Sequence, residues 1–70
     1  MYYVNLNIPL DKRIRFDNQR KASKEIGITP EALCRILSGK KGTTKTTAYC
    51  ITKHFNSNAE ISEYFVFEGE

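Results

Sequence analysis

Tryptophan is missing from this 70-residue chain, methionine occurs only at position 1, and histidine only at His54. The two cysteines, Cys34 and Cys50, stand apart, with no Cys-x-x-Cys pair. One histidine and two cysteines cannot furnish four metal ligands without unusual carboxylate help, so no metal site or other cofactor is expected. A single Cys34–Cys50 bridge would not make a secreted disulfide scaffold, and both residues read as reduced thiols of a cytoplasmic protein. The opening MYYVNLNIPL has no basic stretch, and no apolar run reaches the length of a signal peptide or a membrane span. A Gly-rich phosphate loop, paired catalytic acids and a Ser/Cys–His constellation are all lacking. Cys50 and His54 lie one helical turn apart but have no third partner, so no catalytic role is assigned and the chain is not expected to be an enzyme.

What is present begins with charge. The formal net charge is only +3, yet all 11 Lys and Arg fall within residues 1–53, where just Asp11, Asp17, Glu25 and Glu31 oppose them. Residues 54–70 carry Glu60, Glu63, Glu68 and Glu70 with no Lys or Arg. A basic body with an acidic end points to a polyanion met by one side of the molecule.

Seventy residues make a single domain, which buries only about 60% of the surface of its unfolded chain. Tyr2, Val4, Leu6 and Ile8 alternate with Tyr3, Asn5 and Asn7, the period of an extended arm over residues 1–8. Pro9 and the one-turn spacing of Leu10 and Ile14 predict a short helix from Leu10 to Phe16. Asn18 is the expected N-cap of a second helix, Gln19 to Ile26, ended by Gly27. Thr29-Pro30-Glu31 restarts the chain with a cap, a proline at the first helical position and an acid in the first turn. Leu33, Ile36 and Leu37 face inward on this third helix. Thr44 caps a fourth helix with Ala48, Ile51 and Phe55 on its core side, and Asn58 caps a fifth carrying Ile61, Tyr64 and Phe65. The expected core is Ala22, Ile26, Ile28, Leu33, Ile36, Leu37, Ala48, Ile51 and Phe55. Residues 66–70 read as an acidic tail.

Residues 19–38, QRKASKEIGITPEALCRILS, resemble the helix-turn-helix of the lambda-repressor and Cro (XRE-type) family of phage and bacterial regulators. Gln19, Ser23, Ile26, Gly27, Ile28, Leu33 and Ile36 stand where that pattern asks for glutamine, a small residue, glycine and apolar residues. The small residue lets two helices cross closely, glycine makes the turn, and the apolar set locks the second helix on the first. Ser38-Gly39-Lys40-Lys41 and Thr44-x-x-Thr47-Ala48-x-x-Ile51 extend the likeness over about residues 10–65. The resemblance implies an all-α, five-helix, lambda-repressor-like domain with a short N-terminal arm, in the cytoplasm of a bacterial or phage-infected cell.

It also implies a set of contacts. Thr29, Pro30, Glu31 and Arg35 would occupy base-reading positions, flanked by Cys34 and Ser38. The fork of Arg35 matches guanine O6 and N7. Gln19 at a helix N-terminus, and Lys40, Lys41 and Thr43 in the following loop, would hold phosphates. The reading face departs from the family in Pro30, which offers no hydrogen bond, in the negative Glu31, and in Cys34, a poor reader. Two functions follow. One is a Cro-type regulator of a phage switch, binding double-stranded operator DNA as a dimer on a palindrome. The other is an antirepressor similar to the modulator-of-repression proteins of temperate phages, acting on the N-terminal DNA-binding domain of a partner repressor. The acidic end, Glu31 and the thin reading face favour the second. Tyr2, Tyr3, Val4, Tyr64, Phe65, Val66 and Phe67 make both ends aromatic, and this set either closes the bundle, pairs as a short sheet or joins a second chain into a homodimer.

Overall fold

Three α-helices occupy the middle of the chain and a two-stranded sheet ties its ends together in the computed structural model, which describes residues 1–68. The strand β1 is Tyr2–Val4, followed by helices α1 (Gln19–Ile26), α2 (Pro30–Leu37) and α3 (Lys45–Phe55), and by strand β2 (Phe65–Phe67). Single turns of 3-10 helix at Leu10–Lys12 and Ile61–Glu63 connect strands to helices. The expected all-α, five-helix architecture is therefore corrected: the first and last of those helices are single turns, and the fold includes an antiparallel sheet.

Each correction has a local cause. Ile14 is buried but Leu10 is 73% exposed, so the apolar pair that suggested the first helix does not share a face against the core. Arg13 is extended, and its guanidinium donates to the carbonyls of Ile8 at 2.8 Å and Leu6 at 2.6 Å. Those bonds satisfy the backbone of an irregular turn, whereas a helix this short gains little from propagation. At the other end Glu60, not Asn58, takes the capping position, and its backbone N–H donates to the Glu63 carboxylate at 2.8 Å. Phe65 then leaves the turn to face Val4 across the sheet, and both are buried.

The N-terminal arm is likewise not free. β1 pairs antiparallel with β2 in the register Tyr2↔Phe67, Tyr3↔Val66 and Val4↔Phe65. Its other edge is bridged at Tyr2, whose N–H and carbonyl exchange 2.8 Å hydrogen bonds with Thr43. The aromatic ends thus form a short sheet, with the Tyr2 and Phe67 rings 5.1 Å apart. Val66 and Phe67, expected in an acidic tail, belong to β2; Gly69 and Glu70 lie outside the described residues.

The three long helices start where their caps require. The Asn18 side chain accepts from the Lys21 N–H at 3.0 Å, Thr29 from Ala32 at 3.1 Å and Thr44 from Thr47 at 3.3 Å. Gly27 ends α1 at φ 97°, a conformation that any Cβ would strain. Leu33, Ala48 and Ile51 are fully buried, and Ala22, Ile36, Val4, Ile14 and Phe65 complete the core. Ile26, Ile28 and Leu37 pack against it half-buried. Phe55, expected inside, is a rim residue at 37% exposure, edge-on to Phe16 and Tyr64. No helix among the described residues is long and apolar enough to cross a membrane.

Candidate functional site

The geometry of α1 and α2 follows from one buried serine and one glycine. Ser23 is 1% exposed and its hydroxyl donates to the Arg20 carbonyl at 2.8 Å, so a polar group at the helix contact is satisfied within its own helix. Ala22 beside it is 3% exposed, so two small side chains meet the core from α1. The Gly27 and Ile28 N–H groups both donate to the Ser23 carbonyl, at 2.8 and 2.9 Å, and turn the chain into α2. Leu33 and Ile36 then face the core, which forces the opposite stripe of α2 outward. Thr29, Pro30, Glu31, Cys34, Arg35 and Ser38 are all exposed on that stripe or at its ends.

Two of these residues serve the helix as well. Thr29 caps α2, and the Ser38 hydroxyl donates to the Arg35 carbonyl at 3.0 Å, leaving lone pairs rather than its proton for a partner. Gln19 is exposed as the first residue of α1. After α2, the Gly39 N–H donates to the Ile36 carbonyl and the Lys40 N–H to the Arg35 carbonyl, so the helix end fixes the backbone from which Lys40 and Lys41 project. Both lysines are exposed.

Thr43 does not join them. It is 7% exposed, and its backbone N–H and carbonyl both pair with Tyr2. A Cβ on the neighbouring Gly42 would lie 2.7 Å from Cζ of Tyr3, so this loop is pressed onto the N-terminal segment. Thr43 is a strap between loop and strand, buried where Lys40 and Lys41 are exposed.

A surface groove of about 380 Å³ runs between residues 10–15 and α2, bringing Gln19, Cys34 and Ser38 together with Leu10, Arg15 and Leu37. Arg15 was not among the expected site residues. It follows the buried Ile14 and is exposed, whereas Arg13, on the other side of Ile14, is turned back onto the Leu6 and Ile8 carbonyls. Lys40, Lys41 and the first turn of α2 lie outside this groove.

Among the described residues His54 Nε2 lies 3.0 Å from Glu25 Oε1, a contact that ties α3 to α1, and no Lys or Arg has a carboxylate within 4.0 Å. Lys53 donates to the Ala59 carbonyl at 2.7 Å and Arg13 to Leu6 and Ile8, whereas the other Lys and Arg side chains, Arg15, Arg35, Lys40 and Lys41 among them, make no hydrogen bond to the described residues. Glu60, Glu63 and Glu68 are exposed near the sheet. Comparison with protein-family models, curated proteins and solved structures gives no match to this chain.

Proposed function

We propose that this chain is a small helix-turn-helix transcriptional regulator of a phage-type switch, acting at double-stranded operator DNA in the cytoplasm of a bacterial or infected cell. The observation that carries the reading is the outer stripe of α2. Arg35 stands on it in the open, Lys40 and Lys41 follow it, and none of the three is paired with a carboxylate among the described residues. A rigid helix with an exposed polar stripe and unpaired cations at its end suits entry into a major groove, with the lysines on phosphates. The resemblance of residues 19–38 to the lambda-repressor and Cro motif supports the same assignment.

Binding to promoter-proximal duplex DNA at two salt concentrations tests it. Lys40→Ala and Lys41→Ala should weaken binding evenly across sequences, each lowering the salt slope by about one. Arg35→Ala should relax preference at one base position by about 1–3 kcal/mol. Absence of salt-dependent duplex binding by the parent protein would refute the proposal.

One observation favours a second reading, an antirepressor that binds the DNA-binding domain of a partner repressor. Glu31 is exposed in the first turn of α2 with no cation within 4.0 Å among the described residues. Against DNA its charge repels phosphate; against a basic reading surface it would pair. Glu31→Gln should therefore strengthen non-specific DNA binding under the first reading and weaken a repressor complex under the second. Titration against duplex and against the purified repressor domain separates the two.

A further inference from the structure

Arg13 and Arg15 are two residues apart, both cationic, and have different fates. The guanidinium of Arg13 is occupied by the carbonyls of Leu6 and Ile8. Arg15 is exposed, makes no hydrogen bond and has no carboxylate within 4.0 Å among the described residues. Its backbone is nevertheless held: Ile14 is 5% exposed in the core on one side of the chain, and the Arg13 clamp fixes the turn before it. A cation presented from a fixed backbone, with no internal partner, is prepared for an external anion.

The surroundings define which anion. Arg13, Arg15, Gln19, Cys34 and Ser38 line the groove beside the apolar Leu10, Ile14 and Leu37, and no Asp or Glu lines it. Cys34 and Ser38 belong to the outer stripe of α2, so the groove opens beside the same surface that Arg35 occupies. Gln19 brings the positive dipole end of α1 to the groove and Leu37 and Ser38 bring the negative end of α2, so the two helix ends oppose each other and the full charge of Arg15 decides the sign. Lys40 and Lys41 lie outside the groove, beyond the C-terminal end of α2.

We propose that this groove is the bed of a nucleic-acid backbone strand and that Arg15 is its principal phosphate contact, separate from the contacts of the lysine loop. The inference rests on the nucleic-acid reading and adds a second point of attachment to it. With α2 in the major groove, Arg15 and Gln19 would add backbone contacts to those of Lys40 and Lys41. Each further backbone contact helps to fix the orientation of a helix whose base-reading face is thin.

The test is fluorescence anisotropy with a labelled mixed-sequence duplex of about two helical turns, across a fourfold range of salt, using the full chain. Arg15→Ala removes no internal bond, so its melting temperature should match the parent's. Its affinity should fall at low salt and its salt slope by about 0.9, so that the parent's advantage shrinks by about 3.5-fold over the salt range. Arg15→Lys should restore most of the slope, since it returns the charge. Unchanged affinity and slope for Arg15→Ala, with Lys40→Ala and Lys41→Ala still lowering the slope, would overturn this proposal and leave the DNA reading intact. Failure of the parent to bind duplex would overturn both. Loss of binding to a repressor domain by Arg15→Ala, with DNA binding unaltered, would assign the groove to a protein and overturn the proposal as well.

Discussion

The middle of the chain and its two ends hold together by different means. From Asn18 to Phe55 each helix begins on a side chain that accepts from an N–H three residues later. Gly27 closes α1 against its own last turn. At the ends, Tyr2 pairs with Phe67 and Val4 with Phe65, so nearly the whole chain lies between partners. Closing such a loop opposes pairing by an entropy that grows slowly with length, and three-residue strands alone would not offset it. What offsets it is burial: Val4 and Phe65 sit in the same core as Leu33 and Ile51. The helices are thus specified locally and the sheet globally, with one core serving both. Charge divides in a similar way. All Lys and Arg fall between residues 12 and 53, none within 4.0 Å of a carboxylate among the described residues, while Glu60, Glu63 and Glu68 lie exposed near the sheet.

The strongest way to break that comparison is to remove an anchor from each region. Phe65→Ala should destabilise by about 3–5 kcal/mol and Leu33→Ala by about 2–5 kcal/mol, either one a large share of a small domain's total. If one core serves both regions, far-UV and aromatic signals of Phe65→Ala should be lost together in a single transition. Helical signal persisting after the aromatic signal is lost would show that α1–α3 fold without the sheet, and the two regions would then be independent units. A melt of Leu33→Ala within a degree or two of the parent would remove Leu33 from the core.

A smaller effect probes the local half by itself. Gly27→Ala meets no atom within 4 Å, so space is not the obstacle; the backbone at φ +97° is. The expected loss is about 1–2 kcal/mol, with the same cooperative melt at lower temperature. An unchanged midpoint would mean that the turn relaxes into another conformation and that Gly27 does not set the angle between α1 and α2.

This difference between regions also explains what could be read in advance. The bounds of α1, α2 and α3 follow from Asn18, Thr29, Pro30 and Thr44, signals contained in a few consecutive residues. The outward stripe of α2 follows from the same spacing, and with it the exposure of Arg35, Cys34 and Ser38. Nothing near Phe65 in sequence specifies Val4 as its partner, so Ile61, Tyr64 and Phe65 read as another helical face. Leu10 misled for the opposite reason: a one-turn spacing from Ile14 is a helical signal only if both residues find the core. Thr43 looked like part of a polar loop because its partner, Tyr2, is at the far end of the chain. Arg15 escaped notice because its segment read as a helix, and its exposure beside the buried Ile14 belongs to the irregular chain that replaces that helix.

The smallest expected effect concerns a single hydroxyl at the back of α3. Thr52 is fully buried, and its Oγ1 makes no hydrogen bond to the described residues. A buried hydroxyl without a partner forfeits the bonds it made to water, a penalty of about 1–3 kcal/mol by mutational measures. Valine has nearly the same shape, is branched at the same carbon and suffers the same restriction at χ1 in a helix, so Thr52→Val exchanges the hydroxyl for a methyl with little else altered. Stability should rise by about 1 kcal/mol, which in a domain of this size lifts the melting temperature by about 4–8 °C. Because Thr52 lies in α3 and not in the α2 stripe, duplex binding at temperatures where both proteins are folded should not change. A lower melting temperature would mean that the hydroxyl has a partner in solution, either a helix carbonyl one turn back or an enclosed water, and that α3 is held by a polar contact as well as by its apolar face.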